Sequence, residues 1–304
     1  MYVADMHCDS LSNVSDEVGL VNSYNLSKKY PNLQFFAHFS PKRENTPEQR
    51  RKRLMRDLNV YLYECERLGL VNIRSGRDLF SANDSKISAA MFTVEGGGGL
   101  FADSPELETL IKAGLSVLGL AWDNNELSAS AFDDIDTGLT DEGIKMVKKC
   151  SECGIILDVS HLSDRAFYEV FELSSLPHIA THSNFREVTN AKRNLTRDMA
   201  KMIADRGGVI GLNLYPPFLK DGGDAHITDA IRHIDYGLEL LGERHLALGC
   251  DIDGTDGLYP RGIDPVSSSI HDQLIDMLLS RYSSEVVERI AGLNVIDFLK
   301  DNLI

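Results

Sequence analysis

Two textures alternate along this chain. Short apolar runs, of the kind that form strands buried on both faces, are separated by longer stretches whose apolar residues recur at helical spacing. The runs predict strands at Met1–Asp5, Leu33–Phe39, Ile87–Val94, Ser116–Ala121, Ile155–Val159, Pro177–Ala180, Val209–Leu214 and His245–Gly249. Between them, Thr46 can cap a helix over Pro47–Leu68 that carries proline at its first position. Pro105–Ala113 is helical, and Thr140 caps a helix running to Cys153, with Asp141 and Glu142 suited to its N-terminal dipole. Asp164–Leu173 places Ala166, Phe167, Val170, Phe171 and Leu173 on one face, and Thr196 caps Arg197–Asp205. Further helices are expected at Thr228–Leu241, Ser267–Arg281, Ser284–Ala291 and Val295–Asp301. Ser10–Gln34 and Asp123–Thr137 read as irregular, Asn25, Pro31 and Asn32 breaking the first.

Strands alternating with helices, with no linker-like break in composition, predict an α/β fold with a parallel sheet. The expectation is a single (β/α)8 TIM-type barrel over residues 1–304, a fold that needs about 250 residues plus insertions. Composition does not disturb that reading, since 43% of residues are hydrophobic and 25% charged. The formal charge of −15 argues against nucleic acid or an anionic membrane surface as partner. No apolar run approaches the roughly 20 residues of a membrane span. The first strand begins at the N-terminus and leaves no room for a signal peptide, so a cytoplasmic location is expected. The five cysteines make no disulfide framework. Cys150 and Cys153 have CxxC spacing, but they end a helix instead of opening one, which is the wrong end for a redox thiol.

The chemistry gathers where strands end. Strand one delivers His7 and Asp9, strand three Glu95, strand five His161, strand six His182 and strand eight Asp251. In a βα barrel these positions share the C-terminal rim, where active sites are built. Three imidazoles and several carboxylates are too many for one tetrahedral zinc. They suit two divalent ions about 3.5–4 Å apart with a bridging carboxylate, for which Glu95 is placed best. A hydroxide held between such ions would be a nucleophile at neutral pH, with Asp251 as general base and acid. The glycines at 96–99 lack the Lys-Ser/Thr of a phosphate loop, and no GxGxxG opens a helix after strand one. His38, His178, His226, His233, His245 and His271 fall inside elements or at strand starts and read as structural.

Taken together, His7-x-Asp9, Val94-Glu95-Gly96-Gly97, Asp158-Val159-Ser160-His161, Thr181-His182-Ser183-Asn184, Arg193-Asn194, the stretch Gly207–Asn213 and Asp251-Ile252-Asp253-Gly254 resemble the motifs of the membrane (renal-type) dipeptidase family. These are dinuclear zinc peptidases on an amidohydrolase-type barrel, and the resemblance runs nearly end to end. It implies His7, Asp9 and Glu95 on one zinc, Glu95, His161 and His182 on the other, and Asp251 as proton shuttle. It also implies Arg193 for the substrate's terminal carboxylate, Tyr215 on the substrate side, and a homodimer. The expected activity is hydrolysis of the amide bond of a dipeptide or small N-acyl amino acid.

Two positions depart from the pattern. Trp122 stands where the family has a histidine that polarises the scissile carbonyl, and Gly98 where a histidine follows Glu-Gly-Gly. Indole offers one N–H and no accessible cation. Neither change touches an expected metal ligand, but both alter what lies over the metals. Alternatives are therefore an amidohydrolase-type reaction on a non-dipeptide substrate, or a metal-binding homologue with weakened catalysis. The urease-like variant with HxH and a modified lysine is disfavoured, because Asp9 stands where it needs a second histidine.

Overall fold

The computed structural model describes residues 1–13, 26–40 and 46–303; residues 14–25 of the irregular stretch expected over Ser10–Gln34 lie outside the described residues. Its centre is one parallel sheet. In chain order the strands are β1 (Val3–Cys8), β2 (Asn32–His38), β3 (Val71–Asn72), β4 (Ala89–Val94), β5 (Val117–Gly119), β6 (Ile156–Asp158), β7 (Ile210–Leu212) and β8 (Leu246–Leu248). Their spatial order is β6-β5-β4-β2-β1-β8-β7, with β3 a short addition beside β4. Residues 179–180 close the ring. Ile179 bridges to Asp158 on β6, and Ala180 bridges to Ile210 on β7. The expected sixth strand is thus present only as paired residues, because Pro177 brings no N–H and the chain turns away at Thr181.

Each stave feeds two apolar layers. Ala4, Met6, Leu33, Phe35, Met91, Val117, Ile156, Ile179, Val209 and Ala247 form the inner layer. It is capped at one end by Val295, Ile296, Phe298 and Leu299 of the C-terminal helix Asn294–Asn302. The alternate positions, including Phe36, Phe92, Leu118, Leu157, Ile210 and Leu248, face outward against the helices. This is the two-sided burial that makes parallel strands read as unbroken apolar runs.

Capping residues set the helix ends. Pro47–Leu68 starts in a capping box between Thr46 and Gln49 and stops at the left-handed Gly69. Thr140, Ser163 and Thr196 each cap the helix that follows, Asp141–Cys153, Asp164–Leu173 and Arg197–Asp205. Among the described residues, β3, the single turns Ser10–Asn13 and Pro216–Leu219, and the helix Gly76–Ser85 have no counterpart in the apolar pattern; that helix is capped by Ser75 and buries only Leu79 and Ala82. The C-terminal segment runs through a π-turn at Arg289–Leu293, which joins Ser284–Glu288 to Asn294–Asn302. Cys150 and Cys153 lie in the last turn of their helix, and burial holds the Cys150 thiol far above its ordinary range.

Candidate metal centre

β1 carries one extra residue relative to β2 between Asp5 and Cys8, so His7 lies within the strand, beside a bulge, and not past its end. Bulges re-aim side chains at barrel rims. Asp5 fixes this stretch from behind. Its Oδ1 accepts the His7 N–H at 3.1 Å and the Cys250 N–H at 3.0 Å, while Oδ2 pairs with His271 Nε2 at 2.7 Å. His271, read as structural from sequence, thereby ties a C-terminal helix to the two strands that present His7 and Asp251.

Four of the expected ligands meet around one carboxylate. Glu95 Oε1 lies 2.6 Å from His161 Nε2, 3.2 Å from His182 Nε2 and 3.6 Å from His7 Nε2. His7 Nε2 is also 3.7 Å from Asp9 Oδ2 and 3.9 Å from Asp251 Oδ1. The His161 and His182 Nε2 atoms face each other at 3.0 Å, and the His7 and His182 rings stack at 3.6 Å. All six side chains are buried. His7 Nε2, Asp9 Oδ1 and Glu95 Oε2 nevertheless have no hydrogen-bond partner. Buried polar atoms are ordinarily paired, so donors converging without partners fit a cation. Two of the groupings, His7/Asp9/Glu95 and Glu95/His161/His182, share Glu95, as a bridging carboxylate requires.

The supporting shell orients these donors. Asp158 accepts from the Ser160 and Thr181 backbone N–H groups and from both hydroxyls. Since the Thr181 hydroxyl donates to Asp158 at 2.5 Å, it accepts from His182 Nδ1 at 2.7 Å. That fixes the proton on Nδ1 and leaves the Nε2 lone pair for a metal. Gly254 closes the far side: a Cβ there would lie 2.1 Å from Asp9 Oδ2 and 2.2 Å from Asp251 Oδ1. Asp251 itself has φ of 58°, the left-handed region, a strain characteristic of functional sites. Its Oδ2 accepts from Asn213 Nδ2 at 2.9 Å.

Electrostatics follow from crowding under burial. Burial, then the Asp9 charge, pushes Glu95 well above the usual carboxylate range. Burial pulls His161 and His182 well below the ordinary imidazole value, with Arg193 and His7 adding repulsion. At His7 burial acts downward too, but Glu95, Asp9 and Asp251 outweigh it and push the imidazole up to about 10. Burial and Asp9 bring Asp251 up to about 6, against the opposing pull of His7 and Asn213. Two neutral imidazoles and a carboxylate short of positive charge are what a divalent cation would meet.

The residues expected on the substrate side lie around this cluster. Arg193 is buried, donating to Ser183 Oγ at 2.8 Å and the His182 carbonyl at 3.0 Å, with its Nε–H unpartnered. Burial lowers it to about 10, although Asp158, Glu95 and Asp251 all favour its charge. Tyr215 follows β7, its N–H held by Asn213 Oδ1 at 2.6 Å. Trp122 follows β5, its ring 6.3 Å from that of His161. The space beside Gly98 is taken by Arg50, whose guanidinium pairs with Asp123 at 3.3 Å. Sequence reasoning assigned no site role to Asn213, Thr181, Asp158, Asp5, Arg50, Phe39 or Phe132. Asn213, Thr181 and Asp158 stood within the quoted motifs; nothing in the pattern marked the other four.

A parallel barrel whose C-terminal rim gathers such a donor set belongs to the metallohydrolases. The chain is a member of the membrane dipeptidase family (peptidase family M19), whose profile matches residues 1–302, and that family comprises metallo-dipeptidases. A Klebsiella pneumoniae protein known as an uncharacterized protein in the pqqA 5′ region is 33% identical over 236 residues, 71% of this chain and 87% of the other. An uncharacterized dipeptidase of Schizosaccharomyces pombe is 30% identical over 70% of the chain, which spans about half of that relative's length (53%). Among solved structures, a metallopeptidase described as dipeptidase AC of family M19 superposes with a TM-score of 0.88 at 26% identity, covering 100% of this chain and 99% of the other. A Rhodobacter sphaeroides metallopeptidase shares the fold, with a TM-score of 0.85 at 24% identity over 100% and 99% of the two chains.

Proposed function

We propose that this protein hydrolyses the amide bond of dipeptides or similarly small N-acyl amino acids with two divalent cations, zinc by preference. His7, Asp9 and Glu95 would hold one, and Glu95, His161 and His182 the other. The observation that carries the reading is the convergence of these donors, several of them buried and unpartnered, around the carboxylate of Glu95. Cations held there would supply Lewis acidity and lower the pKa of water enough for it to act as nucleophile near neutral pH.

The chain's own residues supply the rest. Asp251 keeps Oδ1 toward His7 while Asn213 occupies Oδ2, so one oxygen is free to move a proton. It takes the proton released as water adds to the carbonyl carbon and returns it to the leaving nitrogen, which departs as a neutral amine. Arg193 retains an unpartnered Nε–H beside Nη atoms that each have a second N–H, enough to grip a carboxylate through two hydrogen bonds. Tyr215 stands on the same side. The family membership and the dipeptidase-type neighbours support this reading. A cytoplasmic location is part of the proposal and rests on the five unpaired cysteines, which suit a reducing compartment. No helix among the described residues is long and apolar enough to cross a membrane.

Purified protein should cleave dipeptides, lose that activity to a chelator and regain it with zinc; failure to cleave with zinc bound would refute the proposal. Trp122 favours a second reading, a non-dipeptide amide or lactone as substrate, because the family's carbonyl-polarising imidazole is missing. Assaying acylated amino acids, cyclic amides and lactones beside dipeptides separates the two. Dipeptide cleavage that appears only after Trp122→His would instead identify a homologue whose catalysis has weakened.

A further inference from the structure

Three aromatic rings stand together on one side of the centre. Trp122 packs at 5.3 Å from Phe39 and 6.3 Å from Phe132, and the Trp122 and Phe132 rings lie 6.3 and 5.6 Å from that of His161. They are not core. Phe132 is 46% exposed, and Phe39 and Trp122 are only half-buried. Large rings left partly wet beside a buried donor set gain most when another apolar group covers them.

The wall is built rigidly. Asn125 Nδ2 donates to the Leu120 carbonyl at 2.9 Å, and its Oδ1 accepts the Leu127 N–H at 2.8 Å, folding the loop around Trp122. A Cβ on Gly96 would lie 2.9 Å from the Trp122 backbone nitrogen, so the segments just past β4 and β5 meet tightly there. Buried Asp123, next to Trp122, pairs with Arg50. The Ala131 N–H donates to the His161 carbonyl at 2.9 Å, which sets Phe132 against the His161 ring.

Around the rim come Trp122 after β5, His161 after β6, His182 after residues 179–180, and then Arg193, bonded to the His182 carbonyl. The aromatic wall and the guanidinium therefore flank the His161–His182 pair on its two sides. A substrate with its carboxylate on Arg193 and its amide over the pair presents its acyl half to the rings. We propose that Trp122, Phe39 and Phe132 form the subsite for that acyl half, so that the centre selects N-acyl amino acids and dipeptides whose N-terminal half is bulky and apolar, aromatic above all. This rests on the hydrolase reading given above, and its test separates the two.

Trp122 is the only tryptophan in the chain, so its fluorescence reports the subsite without turnover. Titration with N-benzoylglycine should shift the emission saturably, while N-acetylglycine at the same concentrations leaves it nearly unchanged. Phe132→Ala should weaken the benzoyl response about tenfold, the scale of lost pocket contacts. Equal responses to the two ligands, or none to the benzoyl compound, would overturn the inference. In parallel, kcat/KM over the series Gly-Ala, Ala-Ala, Leu-Ala and Phe-Ala should rise about ten- to hundredfold, and Trp122→Ala should flatten the rise. A flat series in the natural protein, or a rise that survives Trp122→Ala, also defeats it. If no dipeptide is cleaved but the benzoyl response holds, the dipeptidase reading falls and the subsite stands.

Discussion

Two places that hold buried histidines differ in how their rings are satisfied. At the end of β2, His38 Nδ1 meets Asp57 Oδ2 at 2.7 Å and its Nε2 meets Ser40 Oγ at 3.2 Å, so the ring is satisfied within the protein. At the rim, His161 and His182 point their Nε2 atoms at each other and at the same Glu95 oxygen, while Glu95 Oε2, Asp9 Oδ1 and His7 Nε2 are unpartnered. Both places are buried and both pair imidazole with carboxylate. The difference lies in what remains unmade. A closed pair needs nothing further, whereas buried donors converging without partners suit a shared cation.

The largest effect should come from the shared carboxylate. Glu95→Gln keeps the shape but removes the charge proposed to be shared by the two cations, and hydrolysis should fall on the order of a thousandfold or more as metal content drops together with rate. Unchanged zinc content in this variant would erase the contrast between the two regions. Asp251→Asn should cost about 10²–10⁴ in kcat, the span expected for general acid–base catalysis, with metal content retained. If zinc were lost as well, Asp251 would be a ligand and not the proton carrier. On the other side of the comparison, Asp57→Asn should leave metal content untouched. It should lower unfolding stability by about 3 kcal/mol, the cost of breaking a buried pair, read by urea denaturation.

A smaller effect concerns pH. Burial holds His178 and His233 down to about 4, and both ring nitrogens of His178 lack partners. Their folded-state values lie below the unfolded one of about 6.5, so they remain neutral in the fold. Stability is complete above pH 6.5 and declines as pH falls toward 4. Between pH 7 and 4.5, His178→Phe should lose on the order of 2 kcal/mol less than the natural chain. An identical loss in both would show that the His178 ring does not resist protonation.

The contrast also explains what could be read from sequence. Helix ends at Thr46, Thr140 and Thr196 were legible because a cap is a local event, decided by one hydroxyl and the N–H groups three residues on. The rim positions were legible because βα order carries each strand end to the same edge. Residues 177–180 read as a full strand, although they pair only through isolated bridges, since apolar character does not report where a chain turns. Gly76–Ser85 escaped because its apolar face is two residues wide. The Asp158–Thr181–His182 relay, the Asn213 brace on Asp251 and the Asp5–His271 tie join elements far apart in sequence, so no local pattern could reveal their roles. Phe132 sat in an unremarkable loop and gained meaning only beside His161.

The central claim is that Glu95 is shared between two cations, and counting them tests it most directly. Protein saturated with zinc, freed of excess by gel filtration and analysed for metal should carry two ions per chain. One ion or none would contradict the account.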